Sequence, residues 1–205
     1  PTVESTVPNG DDFTLLDNYL VFLKGDYGFC WYDVSDPSKP TYQGFYNLET
    51  ASRAFYKDDY MYVVDDDGEM LHLVNVTNRN NPFVEGRVRV PNINDVSVDG
   101  NYAYAATEDG LSIINISKPH QPVVVANYST AEPKGRVCVL DDHLLLLGTF
   151  SGTHLTIVNV ADKKNPVKES DLYIADGLNE LQVVGNYAYV AADDGLYIVN
   201  ISSYD

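Results

Sequence analysis

Basic side chains are scarce in this sequence: 13 lysines and arginines stand against 30 aspartates and glutamates, for a formal charge of -17 over 205 residues. Duplex nucleic acid is therefore a poor partner, because binding it requires cations that displace condensed counterions. Long apolar runs are lacking too. Nothing approaches the roughly 18 apolar residues of a membrane-spanning helix, and the stretch after Pro1 has no signal-peptide pattern. The start at proline in place of methionine gives the expectation of a processed or excised chain, with export left open. The only cysteines are Cys30 and Cys138. They fall in distant parts of the pattern described below, so both are expected to be small buried apolar groups without a shared disulfide. No long helical periodicity is present.

What is abundant is tyrosine, 16 residues in a chain that is 44% apolar. Tyrosine suits pleated surfaces buried on one side. Residues 95–129 show the pattern most clearly, with four alternating runs separated by Asp99-Gly-Asn101 and Glu108-Asp-Gly110. Period-two alternation over short runs predicts strands, and the Gly-containing steps predict tight hairpins. A sheet that small cannot bury both of its faces alone, so copies of it must stack.

The copies are present. An Asx-Ile/Val signature recurs at Asp33, Asn75, Asn115, Asn159 and Asn200, spaced by 42, 40, 44 and 41 residues. A ring residue opens the second strand at Tyr19, Tyr60, Tyr102, His143 and Tyr187, and hairpin glycines follow at Gly28, Gly68, Gly110, Gly152 and Gly195. Pro40, Pro82, Pro122 and Pro166 each stand seven residues after the Asx and open the fourth strand. After Asn200 no such proline follows, whereas Pro1-Thr-Val-Glu-Ser-Thr-Val7 resembles a fourth strand.

The expected fold is thus all-β: a five-bladed β-propeller of four-stranded antiparallel blades, with the N-terminal strand closing the last blade. We expect one domain over 1–205, with repeats at about 12–52, 53–94, 95–135, 136–179 and 180–205 plus 1–8.

The runs Val184-Gly-Asn-Tyr-Ala-Tyr-Val-Ala191 and Gly195-Leu-Tyr-Ile-Val-Asn-Ile-Ser202, with their near copy at 98–117, resemble the LVIVD repeat. That resemblance implies a propeller of the kind found in bacterial and archaeal surface or exported proteins, with no shared catalytic motif. The first, second and fourth copies depart from it at Trp31-Tyr-Asp33, Asp67-Gly-Glu-Met70 and His143-Leu-Leu-Leu146.

Seven residues before each ring residue stand Asp12, Arg53, Asp95, Arg136 and Glu180, all charged and alternating in sign. On the innermost strands they are expected to gather at one mouth of an axial channel, either as ion pairs between blades or as a ligand site. An odd ring leaves Glu180 beside Asp12, where a cation such as Ca²⁺ would relieve two adjacent carboxylates; no other cofactor is expected. The hairpin acids Asp26, Asp65, Asp66, Asp67, Glu108, Asp109, Asp193 and Asp194 favour their turns for backbone reasons and make one face acidic. Thr14, Phe55, Ser97, Cys138 and Gln182 follow along the inner strands. His72, His120, His143 and His154 share no metal-ligand spacing. Of the Asn-x-Ser/Thr sites, only Asn127, on an outer strand, suits a glycan; the signature asparagines are expected to bond their own turns.

The function expected from these features is a non-catalytic binding or scaffold module, extracellular or at the cell surface. It would meet a protein or glycan partner at the charged axial face. Two alternatives use the same features. Exchange of residues 1–7 between chains would give a homo-oligomer, a head-to-tail surface filament. Asp12, Asp95 and Glu180 as an acid and base would give a glycan-active hydrolase.

Overall fold

The computed structural model describes residues 12–16, 18–24, 28–48, 51–65, 67–79, 81–130, 134–148, 153–175 and 177–202. Among them every regular element is a strand. No helix there is long and apolar enough to cross a membrane.

The strands form five antiparallel meanders, one per repeat. The first holds β1 (Asp12–Leu16), β2 (Tyr19–Lys24), β3 (Gly28–Asp33) and β4 (Thr41–Asn47). The second holds β5 (Arg53–Lys57), β6 (Tyr60–Val64), β7 (Met70–Asn75) and β8 (Phe83–Arg89). The third holds β9 (Ile93–Asp99), β10 (Tyr102–Thr107), β11 (Gly110–Asn115) and β12 (Val123–Ser129). The fourth holds β13 (Lys134–Leu140), β14 (His143–Gly148), β15 (Thr153–Asn159) and β16 (Val167–Ala175). The fifth has three strands among the described residues, β17 (Leu178–Val184), β18 (Tyr187–Ala192) and β19 (Gly195–Asn200). The segment 1–7, expected as its fourth strand, lies outside the described residues.

The signature Asx residues do the job expected of them. Asp33, Asn75, Asn115, Asn159 and Asn200 each accept the backbone N–H two residues on, at 2.8 to 3.0 Å. This Asx turn ends the third strand at one point in every repeat. The hairpin glycines divide. Gly28 and Gly110 sit at φ +110° and +129°, where a Cβ would land on the carbonyl oxygen of Tyr46 or Tyr128. Gly195, expected to need the same freedom, lies outside the left-handed region and has open space around it.

A further regularity lies between the third and fourth strands. The register slips at Trp31/Tyr32, Leu73/Val74, Ile113/Ile114 and Ile157/Val158. One extra residue is thereby bulged three places after the strand-opening proline: Gln43, Glu85, Val125 and Glu169.

The chain forms two compact units, Pro1–Arg89 with Pro119–Gln121, and Val90–Lys118 with Pro122–Asp205. In the first, Phe29 and Trp31 of β3 pack against Met61 and Val63 of β6. In the second, the fourth sheet is buried on both faces. Leu144 and Leu146 join Leu111 and Ile113 of the third sheet, while Leu145, Leu155 and Ile157 join Leu181 and Val190 of the fifth. Burial on both faces explains why His143-Leu-Leu-Leu146 loses the alternation seen elsewhere. Each such leucine contributes about 1.5–3 kcal/mol by leaving water.

Two apolar faces remain open. Leu196 and Ile198 occupy the positions of Leu155 and Ile157, yet are 64% and 60% exposed. Phe13 and Leu15 occupy the positions of Val137 and Val139 and are 67% and 63% exposed.

Candidate functional site

All five charged positions of the sequence pattern fall on the first strand of their sheets, and in one register. Asp12 pairs with Leu23, Arg53 with Val64, Asp95 with Ala106, Arg136 with Leu147 and Glu180 with Ala191, always the fifth residue of the second strand. Within the units these first strands neighbour one another, β1 beside β5, and β13 beside both β9 and β17. In three sheets the register slips just before the charged residue, between Ala106/Thr107, Lys134/Arg136 and Leu178/Glu180. A bulge re-aims the side chain that follows it. Nothing in the alternation of the sequence marks these slips.

The structure brings together part of the expected set. Arg136 Nε lies 3.3 Å from Glu180 Oε2, with the arginine side chain 20% and the glutamate 62% exposed. Arg136 Nη1 also donates to the Gly135 carbonyl at 3.0 Å, and Glu180 Oε1 accepts the Leu181 N–H at 3.2 Å. One repeat earlier, Asp95 Oδ2 accepts the Val137 N–H at 3.1 Å, and Ser97 Oγ accepts the Val139 N–H at 3.3 Å. Asp95 and Ser97 thus stitch β9 to β13, a structural role, while Glu180 keeps a carboxylate open to solvent. Arg53 is half-buried in the first unit. The Asp12 side chain lies outside the described residues, and with it the expected Asp12–Glu180 edge.

Deeper along β13, burial and then the Asp95 charge push the Cys138 thiol above its usual range, which keeps it protonated. Two of the hairpin acids serve their own hairpins. Asp65 Oδ1 accepts the N–H groups of Glu69 and Met70 at 2.8 and 3.0 Å, and Asp194 Oδ2 accepts the Tyr197 hydroxyl at 2.8 Å. Asp26 and Asp66 lie outside the described residues. Among the described residues no three His, Cys, Asp or Glu side chains converge on a cation site. Burial holds His72 below its usual range, while His143 and His154 stand 3.0 and 3.4 Å from Glu169 and Asp171.

Two groups of side chains escaped the sequence pattern. In the second repeat Tyr60 donates to Glu85 Oε2 at 2.6 Å and Asn75 Nδ2 donates to the same oxygen at 2.9 Å. In the fourth, His143 Nε2 lies 3.0 Å from Glu169 Oε2 and Asn159 Nδ2 donates to Oε1 at 2.8 Å. The ring and Asx marks are therefore two parts of one lock, whose third part is the bulged carboxylate. Arg79 and Lys163, each four residues after the Asx, lie over the rings of Tyr19 and Tyr102 in the preceding repeat.

Beside the third sheet lies a cleft of about 450 Å³, lined by Thr107, Asp109, Ser112, Asn127, Tyr128 and Thr130 among others. Asn127, the expected glycan acceptor, is exposed there and accepts the Ser112 hydroxyl at 2.8 Å.

Residues 14–48, 92–130 and 179–203 match the LVIVD repeat. The chain carries LVIVD repeats. The matched LVIVD segments are the first, third and fifth copies; the second and fourth, with Arg53 and Arg136, Glu85 and Glu169, and Arg79 and Lys163, fall outside them. No curated protein sequence matches the chain. Several solved structures are similar over most of it. The computationally designed Ika8 protein superposes with a TM-score of 0.68 at 11% identity, over 94% of this chain and 58% of that one. Kluyveromyces lactis Hsv2p gives 0.65 at 12%, over 93% and 60%. A candidate 6-phosphogluconolactonase from Bacteroides fragilis gives 0.66 at 14%, over 92% and 65%. The LVIVD chain thus spans 58% to 65% of the length of these structures. Likeness at such identities concerns the fold, which is β-propeller-like.

Proposed function

We propose that this LVIVD protein is a non-catalytic binding or scaffold module of an extracellular or surface protein, in which five blades close into a ring. A ligand or partner meets the face that carries Asp12, Arg53, Asp95, Arg136 and Glu180. The observation that carries the reading is the common register of these five charges, one per first strand. Ring closure is supported by the two open apolar faces. Wherever a repeat follows another inside a unit, the positions of Leu196 and Ile198 are covered by the later sheet and those of Phe13 and Leu15 by the earlier one. In a closed ring the first and last sheets cover each other and no apolar face is left to water.

Glu180 is the side chain through which to test binding, since it is exposed and is held by a surface salt bridge to Arg136 and the Leu181 N–H. Wild-type protein and Glu180→Lys are compared on a glycan array and in a Ca²⁺ titration, with circular dichroism as the check on folding. The expected result is a probe bound by wild type and weakened at least about tenfold by Glu180→Lys. A probe bound equally by both, or none bound at all, overturns the axial site. For the ring, Leu196→Asp is expected to lower the melting temperature sharply and independently of protein concentration. An unchanged melting temperature overturns closure.

A further inference from the structure

Across β10, β11 and β12 of the third sheet two rungs align, Thr107 with Gly110 and Ser129, and Ala105 with Ser112 and Asn127. Side chains two residues apart on a strand share a face, so Thr107, Ser112, Asn127 and Ser129 stand together on one side of the sheet. Gly110 puts no side chain between Thr107 and Ser129. The cleft of about 450 Å³ lies here, and all four polar residues line it. Leu111 and Tyr128, on the rung between, pack into the core with the fourth sheet and give the cleft its apolar wall.

The same rung differs in the other sheets. Where the third sheet pairs Ser112 with Asn127, the first pairs Cys30 with Phe45, the second His72 with Arg87 and the fourth Thr156 with Asp171. Among these four the third alone offers a hydroxyl beside a neutral amide. Thr107 and Ser112 are 4% and 7% exposed, and hydroxyls that deep are costly unless a partner answers them. Ser112 donates to Asn127 Oδ1 at 2.8 Å, which commits that oxygen and leaves Nδ2 to donate to a guest. Asp109, exposed at the rim, adds an acceptor.

We infer that this cleft binds a neutral saccharide, with the Asn127 amide donating to one sugar hydroxyl and the Asp109 carboxylate accepting from another. A sugar hydroxyl both gives and takes a hydrogen bond, which suits a lining of hydroxyls, amide and carboxylate. An anionic guest would meet Asp109 and no lysine, arginine or histidine in the lining. The volume lies in the range of small-molecule sites. This site is separate from the charged column, since its side chains stand on the second to fourth strands of one sheet and the column stands on first strands.

The test uses the whole chain, produced in bacteria so that Asn127 carries no N-glycan. Glucose, galactose, mannose, N-acetylglucosamine and lactose are each titrated and followed by saturation-transfer NMR and calorimetry. At least one is expected to bind wild type, to be weakened about tenfold by Asn127→Ala and by the isosteric Asp109→Asn, and to be unaffected by Glu180→Lys. Circular dichroism checks that each variant folds. Binding of none of the five sugars would overturn the cleft, and so would binding that survives both substitutions or is lost with Glu180→Lys. Tighter binding of glucose 6-phosphate than of glucose would overturn the neutral class. Comparing Glu180→Lys with its parent in the Asn127→Ala background reads the axial face separately, so the failure of either site is told from the failure of the other.

Discussion

Arg79 holds its guanidinium 4.6 Å from the centroid of the Tyr19 ring, reaching back from the second repeat to the first. Lys163 makes the equivalent reach, 5.7 Å over Tyr102, and adds a 3.1 Å contact with Asp142. The turn that the Asx opens therefore does more than reverse the chain, because the fourth residue after the Asx clasps the previous sheet. Replacing Arg79 by alanine is expected to lower stability by about 1 kcal/mol, with a smaller loss for lysine. Lys163→Ala is expected to cost more, since it also releases Asp142. Urea unfolding at fixed ionic strength checks the ranking, and equal losses for all three variants would contradict it.

The lock at Glu85 predicts an acid-sensitive contribution. Hydrogen bonds from Asn75 and then Tyr60 hold its carboxyl below the ordinary value of 4.5. A depressed folded-state value means that the stabilisation is complete above about pH 4.5 and fades as pH falls below it. Glu85→Gln is expected to flatten the decline of the urea midpoint between pH 5 and pH 3. Burial, followed for Tyr60 by the bond to Glu85, pushes Tyr60 and Tyr62 up to about 12. The sign here is the opposite. Stability is complete below about pH 10 and is lost as pH rises toward 12, so Tyr62→Phe is expected to weaken the alkaline transition followed by tyrosinate absorbance.

Gly28 and Gly110 predict a sharp contrast with Gly100. A methyl at either of the first two meets the backbone of the neighbouring strand at a φ that alanine rarely adopts. Each alanine variant is expected to cost about 3 kcal/mol or to prevent folding. Gly100→Ala, with φ +51° and nothing within 4 Å, is expected to cost about 1 kcal/mol. Thermal unfolding of the three variants decides it.

Asp95 and Glu180 share a register but are expected to respond differently. Asp95→Ala deprives the Val137 N–H of its acceptor and is expected to cost about 1–2 kcal/mol. Glu180→Gln removes an exposed partner of Arg136 and is expected to cost less than about 1 kcal/mol. If the glutamate proved the more costly, the solvent-open role given to it would be withdrawn.

Much of this molecule was legible in one dimension. The Asx, ring and proline marks name the strand ends because each is needed by the local backbone, and the five Asx turns place them as expected. The charged column was legible for the same reason, being tied to the ring mark by a fixed count along a strand. The slips before Asp95, Arg136 and Glu180 were not, since a single inserted residue leaves alternation intact on either side. Glu85 and Glu169 were missed because a bulge takes its residue out of the period-two pattern. Arg79 and Lys163 were missed because a loop position has no period at all, and only contact with the previous sheet gives it a purpose. Gly195 was misread because its Asp-Gly context looks like those of Gly68 and Gly110, while its backbone adopts an ordinary φ.

The carboxylate lock and the basic clasp both occur in the second and fourth copies, and neither has been found in the first or third. The molecule therefore keeps time in twos. A graft of residues 136–179 into the place of 53–94 would carry every such part with it, whereas a graft of 95–135 into that place would bring Pro119 where Arg79 stood and Val125 where Glu85 stood. Anyone lengthening or shortening this array should cut it by couples, an odd-numbered copy with its even-numbered successor, because that couple is the smallest interchangeable part.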